Sequence, residues 1–448
     1  MLQATTAVKY NTVNITSLDG KKKFDLTKQL VQTDYFEDIL EPTVSVTLSI
    51  ISTYNIVEEL PIRGGEVVTI DIETYSGKFK EDFIVYGVKN ESSQKQKVSF
   101  NLHLIPAEWI SNQYAEVGKK FQFLPVNTHV EEMLRERLKI KEERIGTIEA
   151  TSNSLSFFGN NKSPFWLIRW LGPQSISIPG GVKGEDVSEN DSDPNLKTHG
   201  TAGFVFYQNR DGFHFRSLDT LASKTKAQIS SADDEDIQNF YFGEVNKAHS
   251  TENNFKIISY YFDKNNDIRT SMRVGMYASK IINFSPKTQN VVTYYYNLKD
   301  ELDPDLKLGK ESKISTPEDQ ETEESTIVRP QDVFGSTPTR TFFNISDEGV
   351  HFSSGENDPV KYRTTEAKSI SRYNLMFTQG LNILVPCNVQ LKVGDIIRCY
   401  FPENQGGSAN KSEDKISGLY LVKELRHHFS SNQNTTSLKL IRDSYGLQ

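Results

Sequence analysis

Apolar and polar residues alternate along the chain in short, regular stretches. Val44, Val46, Leu48 and Ile50 interleave with Ser45, Thr47 and Ser49, the two-residue period of a half-buried strand. After Arg63-Gly64-Gly65-Glu66 the alternation returns at Val68, Ile70 and Ile72. A loop, a strand at Phe83–Val88, a polar turn and a strand through Val98, Phe100, Leu102 and Leu104 follow. Near the C-terminus Lys392-Val393-Gly394-Asp395 precedes a strand from Ile396 to Phe401. A longer loop, a strand from Leu419 to Leu425, a polar turn and a strand through Leu438 and Leu440 complete the same order. The pattern predicts two copies of one β unit, each opened by a glycine and an acid. Glycine supplies positive φ where the chain reverses tightly.

Between the copies the period changes. Asn127 is placed as the cap of a helix with Val130, Met133, Leu134 and Leu138 on one face. Ser163-Pro164 opens a second helix through Trp166 and Trp170 to Gly172; it is apolar nearly all round and so expected to be buried. Phe204 and Phe206 face Phe213 and Phe215 across Asn209-Arg210-Asp211-Gly212, a strong hairpin signal. His214 is expected to point outward. Strands are expected at Ile257–Phe262, Val274–Tyr277 and Val291–Tyr296, and a helix over Glu366–Leu381. Residues 179–200 read as a surface loop, and 299–333 as a polar stretch whose Glu-, Thr- and Ser-rich part is a linker. The expected organisation is a β-barrel or sandwich over 1–125, a small α+β domain over 126–236, the second copy of the β unit with associated β segments from 237–298 and 340–448, and an acidic linker over 299–339. The fold class is mainly β with α+β insertions.

Composition narrows the function. At 448 residues the chain has room for about three domains of roughly 150 residues. Acidic side chains number 59 against 51 basic ones, and no basic stripe offers a seat for nucleic acid phosphates. Cys387 and Cys399 form neither a disulfide framework nor a metal set, and read as buried thiols of a reducing compartment. No leader and no membrane-spanning run is visible. The acids from Glu185 to Asp193 lack the ligand spacing of a calcium loop. Asp303 and Asp305, beside Glu301, sit in a polar loop; their spacing does not establish the opposed pair that a glycosidase needs. His427 and His428 are neighbours on a strand, so their rings face opposite ways. Gly64-Gly65 is too short for a phosphate cradle, and Gly406-Gly407 precedes no helix. The residues point to no enzyme, metal or cofactor.

Several stretches, in this order, resemble the baseplate hub protein of contractile-tailed bacteriophages. They are Leu60–Glu66 before its strand, Phe100–Ile110 running into the Val126–Leu138 helix, and the Phe204–Ser217 hairpin with Gly212. Leu391–Ile397 with Gly394 and Asp395, Ser417–Val422 with Gly418, and Leu438–Gly446 complete the set. Related secretion-spike proteins fuse such a hub to a β-helical needle; this sequence ends just after Gly446, so a spike is expected as a separate chain. The resemblance implies two tail-tube-like barrels per chain and a homotrimeric, pseudo-six-fold ring. It implies that the ring joins a six-fold tail tube, or its initiator, to a three-fold central spike. It further implies surrounding baseplate wedge proteins, DNA passing in transit without specific binding, and a place in the virion tail after assembly in the host cytoplasm. A β-rich trimeric receptor-binding tail protein and a polysaccharide-degrading tail enzyme are the alternatives.

Overall fold

The computed structural model describes residues 8–52, 62–74, 76–94, 97–178, 202–222, 237–243, 252–263, 267–286, 289–298, 308, 311–312, 338–345, 365–401, 416–430 and 433–445. The acidic loop 179–200, the linker except Leu308, Glu311, Ser312, Pro338 and Thr339, and Gly406-Gly407 lie outside the described residues.

The N-terminal region contributes β1 (Val8–Thr16), β2 (Lys23–Asp25), β3 (Leu30–Asp38), β4 (Ser45–Ser52), β5 (Val67–Thr74), β6 (Gly77–Gln94) and β7 (Lys97–Ile105). Helix α1 (Ala107–Tyr114) leads to β8 (Lys120–Pro125), α2 (Val126–Glu132), β9 (Ile145–Ile148), β10 (Ser154–Phe158), α3 (Pro164–Leu171), β11 (Phe204–Asn209), β12 (Gly212–Ser217) and α4 (Leu218–Ala222). Then come β13 (Asn239–Tyr241), β14 (Ser259–Asp263), α5 (Ile268–Val274), β15 (Ala278–Ser285), β16 (Asn290–Asn297), β17 (Glu311–Ser312) and β18 (Arg340–Ile345). The last elements are α6 (Thr365–Met376), β19 (Gln379–Pro386), β20 (Ile396–Tyr400), β21 (Gly418–Ser430), β22 (Thr435–Arg442) and β23 (Ser444–Tyr445).

One sheet dominates. Its strands run β14-β19-β22-β21-β3-β4-β7-β6-β5-β1-β2, with β20 and β13 attached beside β21. Alternation gives it two faces: on β4, Val46, Leu48 and Ile50 are buried while Ser45, Thr47 and Ser49 are half-exposed. The apolar face closes over a core running from Val13 to Ile441 that takes in both ends of the chain. A second core joins α2, α3, β11 and β12 through Val130, Ile168, Phe206 and Phe213. A third gathers Met276, Ile281, Tyr296 and Leu375 around β15, β16 and α6. Arg372 of α6 is buried and stitches the parts together. Its guanidinium donates to Asp219 and to Asp443, each at 3.0 Å.

Several sequence expectations need correction. Asn127 does not cap α2; the cap position is Pro125, and the Asn127 Oδ1 accepts instead from the Thr151 N–H (3.3 Å) and hydroxyl (3.2 Å). The helix opens into a π turn over Met133–Arg137, which keeps Met133 and Leu134 buried. Helix α3 is not buried all round: Trp166 is 49% exposed. Val274–Tyr277 is no strand. Asp267 caps α5 by accepting the Thr270 N–H at 3.0 Å, and Gly275 ends it at φ 83°. The helix expected to run to Leu381 stops at Met376. The Thr378 hydroxyl closes it on the Leu375 carbonyl at 2.7 Å, and Leu381, Ile383 and Val385 take up the two-residue alternation of β19.

Candidate functional site

The turns that open the two copies read from the sequence share their backbone ladder bonds. In the first, Gly64 and Gly65 adopt φ of 95° and 100°. Glu66 turns back on the reversal, its carboxylate accepting the Arg63 N–H at 2.8 Å and the Gly64 N–H at 3.1 Å. The Gly65 N–H donates to the Val85 carbonyl (2.7 Å), and the Val85 N–H to the Glu66 carbonyl (2.9 Å). In the second, Gly394 has φ 89°, and Asp395 accepts the Lys392 N–H at 2.9 Å. The Gly394 N–H donates to the Val422 carbonyl (3.0 Å), and the Val422 N–H to the Asp395 carbonyl (2.9 Å). The acid after the glycine caps the turn, a job for a short acceptor facing free backbone donors.

The register continues the match. Val67 lies opposite Ile84 and Val68 opposite Phe83; Ile396 lies opposite Leu421 and Ile397 opposite Tyr420. Val85 pairs with Leu104, a bulge follows, and Gly87 pairs with His103. Val422 pairs with Leu440, a bulge follows at the same place, and Glu424 pairs with Lys439. Beyond, Leu48 pairs with Leu102 as Ile383 pairs with Leu438. Strands β3, β4, β7, β6 and β5 thus correspond to β14, β19, β22, β21 and β20. Gly418 opens β21 at φ 135° opposite Cys399.

The copies meet where β3 pairs antiparallel with β21, from Glu424 opposite Asp38 to Ser430 opposite Gln32. Lys423 donates to Asp38 at 3.0 Å, and Asp34 accepts from Arg426 and lies 2.7 Å from the His428 Nδ1. Glu37 sits beneath this joint, 2% exposed. It accepts the Tyr35 hydroxyl (2.7 Å), the Arg210 N–H of the β11–β12 hairpin (3.2 Å) and the Val393 N–H of the second turn (2.9 Å). One carboxyl therefore ties both copies and the inserted hairpin. Burial pushes its pKa up to about 7, and that of Asp395 up to about 6. Across the joint the polar face of the sheet forms a groove of ≈ 1040 Å³. Asp38, Glu41, Asp263 and Glu424 outnumber Arg426 and Lys439 along it.

No protein-family model matches the sequence, and no curated protein matches it. Solved structures match along its length. The tail protein from Neisseria meningitidis superposes with a TM-score of 0.50 at 11% identity, over 96% of each chain. The prophage MuSo2 43 kDa tail protein from Shewanella oneidensis superposes with a TM-score of 0.51 at 9% identity, over 98% of this chain and 100% of its own. The fold is that of phage tail proteins. A type VI secretion component from E. coli aligns at a TM-score of 0.40 and 9% identity, covering 99% of this chain and 79% of its own.

Within this phage-tail fold the copies differ at their flanks. β1 runs antiparallel to β5, whereas β13 runs parallel to β20. Of the residues singled out from the sequence, Gly64, Gly65 and Glu66 form one turn, and Gly394 and Asp395 the other. Gly212, at φ 124°, ends the hairpin beside the Arg144 carbonyl. His214 does not point outward: it is 7% exposed, its ring accepting the Thr147 N–H at 3.0 Å and meeting Asn209 Oδ1 at 2.9 Å. Gly146 makes room for it, leaving no space there for a Cβ. His427 and His428 do face opposite ways, His427 fully buried and His428 half-exposed. Both cysteines are buried and free, and burial raises Cys387 to about 12. Glu37 escaped the sequence reading; its only signal was an acid at an inward position of an alternating strand, Thr33-Asp34-Tyr35-Phe36-Glu37.

Proposed function

We propose that this chain is the structural hub of a phage tail baseplate. Three copies, each supplying two barrel units, form a ring with near-six-fold symmetry toward a tail tube and three-fold symmetry toward a central spike. The observation that carries this reading is the repetition of one five-strand sheet unit, with the same glycine turn and a bulge at the same place, within a single chain. A protein so duplicated presents two equivalent positions, and three copies present six, which is what an adaptor between six-fold and three-fold partners requires.

The polar sheet face supports the channel part of the proposal. Ser45, Thr47 and Ser49 on β4 and Ser437 and Lys439 on β22 present short or uncharged groups and one lysine. With acids outnumbering bases along the groove, such a wall repels phosphates weakly and holds none tightly. In this reading residues 1–125 form the first barrel, 126–236 the inserted domain, and 237–298 with 340–448 the second barrel and its associated strands. The partners are the tail tube or its initiator, the spike and the baseplate wedges, and the role is non-enzymatic. Electron microscopy of the purified chain tests the proposal: a ring with a central hole and three outer lobes is expected. Particles without a hole would overturn it.

A further inference from the structure

The sequence carries three tryptophans, and the fold brings all three to one pocket of ≈ 530 Å³, a size common among small-ligand sites. Three segments build it. Helix α1 presents Trp109 and, one turn on, Asn112. Helix α3 presents Trp166, Arg169 and Trp170, the stripe left over when Leu167, Ile168 and Leu171 enter the second core. The turn between β3 and β4 adds Glu41. Every lining residue belongs to the described stretches 8–52 and 97–178.

The indoles are exposed yet held in place. Trp166 and Trp170 are 49% and 37% exposed. Trp170 leans on the Phe157 ring, with 5.4 Å between centroids, and the Lys162 Nζ lies 5.3 Å from the Trp166 ring. The polar groups have bonding capacity to spare. Asn112 is only 4% exposed. Its Oδ1 accepts the Phe165 N–H at 2.8 Å, which fixes the amide's orientation. The Nδ2 donors are then left without an acceptor among the described residues. Such a group is costly unless something in the pocket accepts from it. Glu41 and Arg169 make no side-chain hydrogen bond or ion pair among the described residues.

We propose that this pocket binds a saccharide bearing an acetamido group, an N-acetylhexosamine unit of a glycan chain. A pyranose ring shows C–H groups on its faces and hydroxyls around its edge. The faces suit the electron-rich faces of the indoles. The hydroxyls suit Glu41, which accepts, and Arg169, which donates. The acetamido carbonyl supplies the acceptor that the Asn112 Nδ2 lacks. Other occupants fit less well. A nucleotide would bring phosphate against Glu41 in a chain of net charge -8. A cationic side chain would meet Arg169 and Lys162. An apolar protein anchor would bury Glu41, Asn112 and Arg169 without partners. Glu41 is the one acid lining the pocket, so the opposed carboxyls of glycoside hydrolysis are not assembled there. The site holds a glycan without cutting it.

Because every tryptophan of the chain lines the pocket, tryptophan emission of the full protein reports this site. Titration with tri-N-acetylchitotriose should change that emission saturably. Cellotriose has the same ring faces without acetamido groups, and should bind about tenfold more weakly. Trp166→Ala removes a half-exposed ring and should weaken chitotriose about tenfold, with the melting temperature unchanged. Asn112→Asp keeps an acceptor for the Phe165 N–H and removes the donor. It should bring chitotriose down to the level of cellotriose and leave cellotriose as it was. A cell-wall disaccharide whose second ring carries a lactyl ether identifies the source. Tighter binding than di-N-acetylchitobiose assigns cell-wall strands; weaker binding assigns plain N-acetylhexosamine polymers. No saturable change with either trisaccharide up to roughly tens of millimolar, or chitotriose binding that neither variant weakens, overturns the proposal. So does a proline-rich peptide that binds where the sugars do not, which would make the pocket a protein dock. None of these outcomes bears on the ring, which electron microscopy tests separately.

Discussion

Glu37 shows how much one side chain settles in this molecule. Its folded pKa of about 7 lies above its ordinary value of 4.5 because burial disfavours the charge. The fold therefore favours the neutral acid. That contribution is complete below about pH 4.5 and is lost as pH rises through about 7, a limb of about 3 kcal/mol. The buried His214 and His427, held down at about 4 and about 3, act in the other direction. Their contribution is complete above about pH 6.5 and lost as pH falls toward those values. Thermal unfolding followed from pH 5 to pH 8 should show stability falling from about pH 6.5, where the histidine contribution is complete, to a little above pH 7, and level beyond it. Glu37→Gln should flatten that decline, since the amide cannot ionise. The two turn glycines should also part company. A Cβ on Gly394 would run into the Tyr207 hydroxyl, which is buried; one on Gly65 would meet the Leu18 Cδ2 at 2.7 Å, but Leu18 is 61% exposed and can swing away. Gly394→Ala should cost about 2–3 kcal/mol and Gly65→Ala about 1 kcal/mol in denaturant melts. The turn residues were legible because glycine before an acid is a local signal. Glu37 and His214 were not, because their partners lie far along the chain: Val393 and Arg210 for one, Thr147 for the other.

Among the elements, the bulges set the register. The extra residue at Lys423 keeps Leu425, His427 and Phe429 on the buried face of β21. Deleting Lys423 should slip the strand by one residue, turn those three side chains to the polar face and leave the protein insoluble or unfolded by circular dichroism. Lys423→Ala preserves the register and should cost only about 1–2 kcal/mol, through the lost contacts to Asp38 and Glu424. The alternating strands of both copies were plain in the sequence, since period two needs only neighbours. Helix ends were less so. Leu381 continues an apolar run from α6, and nothing local says that Gly380 already pairs with Ile441 in a sheet. Val274–Tyr277 looked like a strand because a short apolar run fits either state; the Asp267 cap was the overlooked clue.

At the scale of the whole molecule, assembly should be sharply concentration-dependent. In the proposed ring a dimer gains one joint, whereas the third chain gains two at once. Sedimentation across the micromolar range should show monomer and trimer with little dimer between them. A population of stable dimers would contradict closure of the ring. The ring itself was suggested by the repeated order of strands, but the joint between the copies was not legible, because β3 reaches β21 across almost the whole length of the chain.

The internal β3–β21 pairing has a further consequence. A head-to-tail contact gives a closed circle only if its rotation divides a full turn; otherwise copies add without end into a helical filament. In the proposed ring the angle between successive units is built into every molecule before it meets another, fixed by the same core that folds it. Each chain thus carries its own protractor. A substitution that tilts the inner joint, at Glu37 or Lys423, would misset the angle for all later additions, and its signature would be open spirals or fibres in the microscope in place of rings.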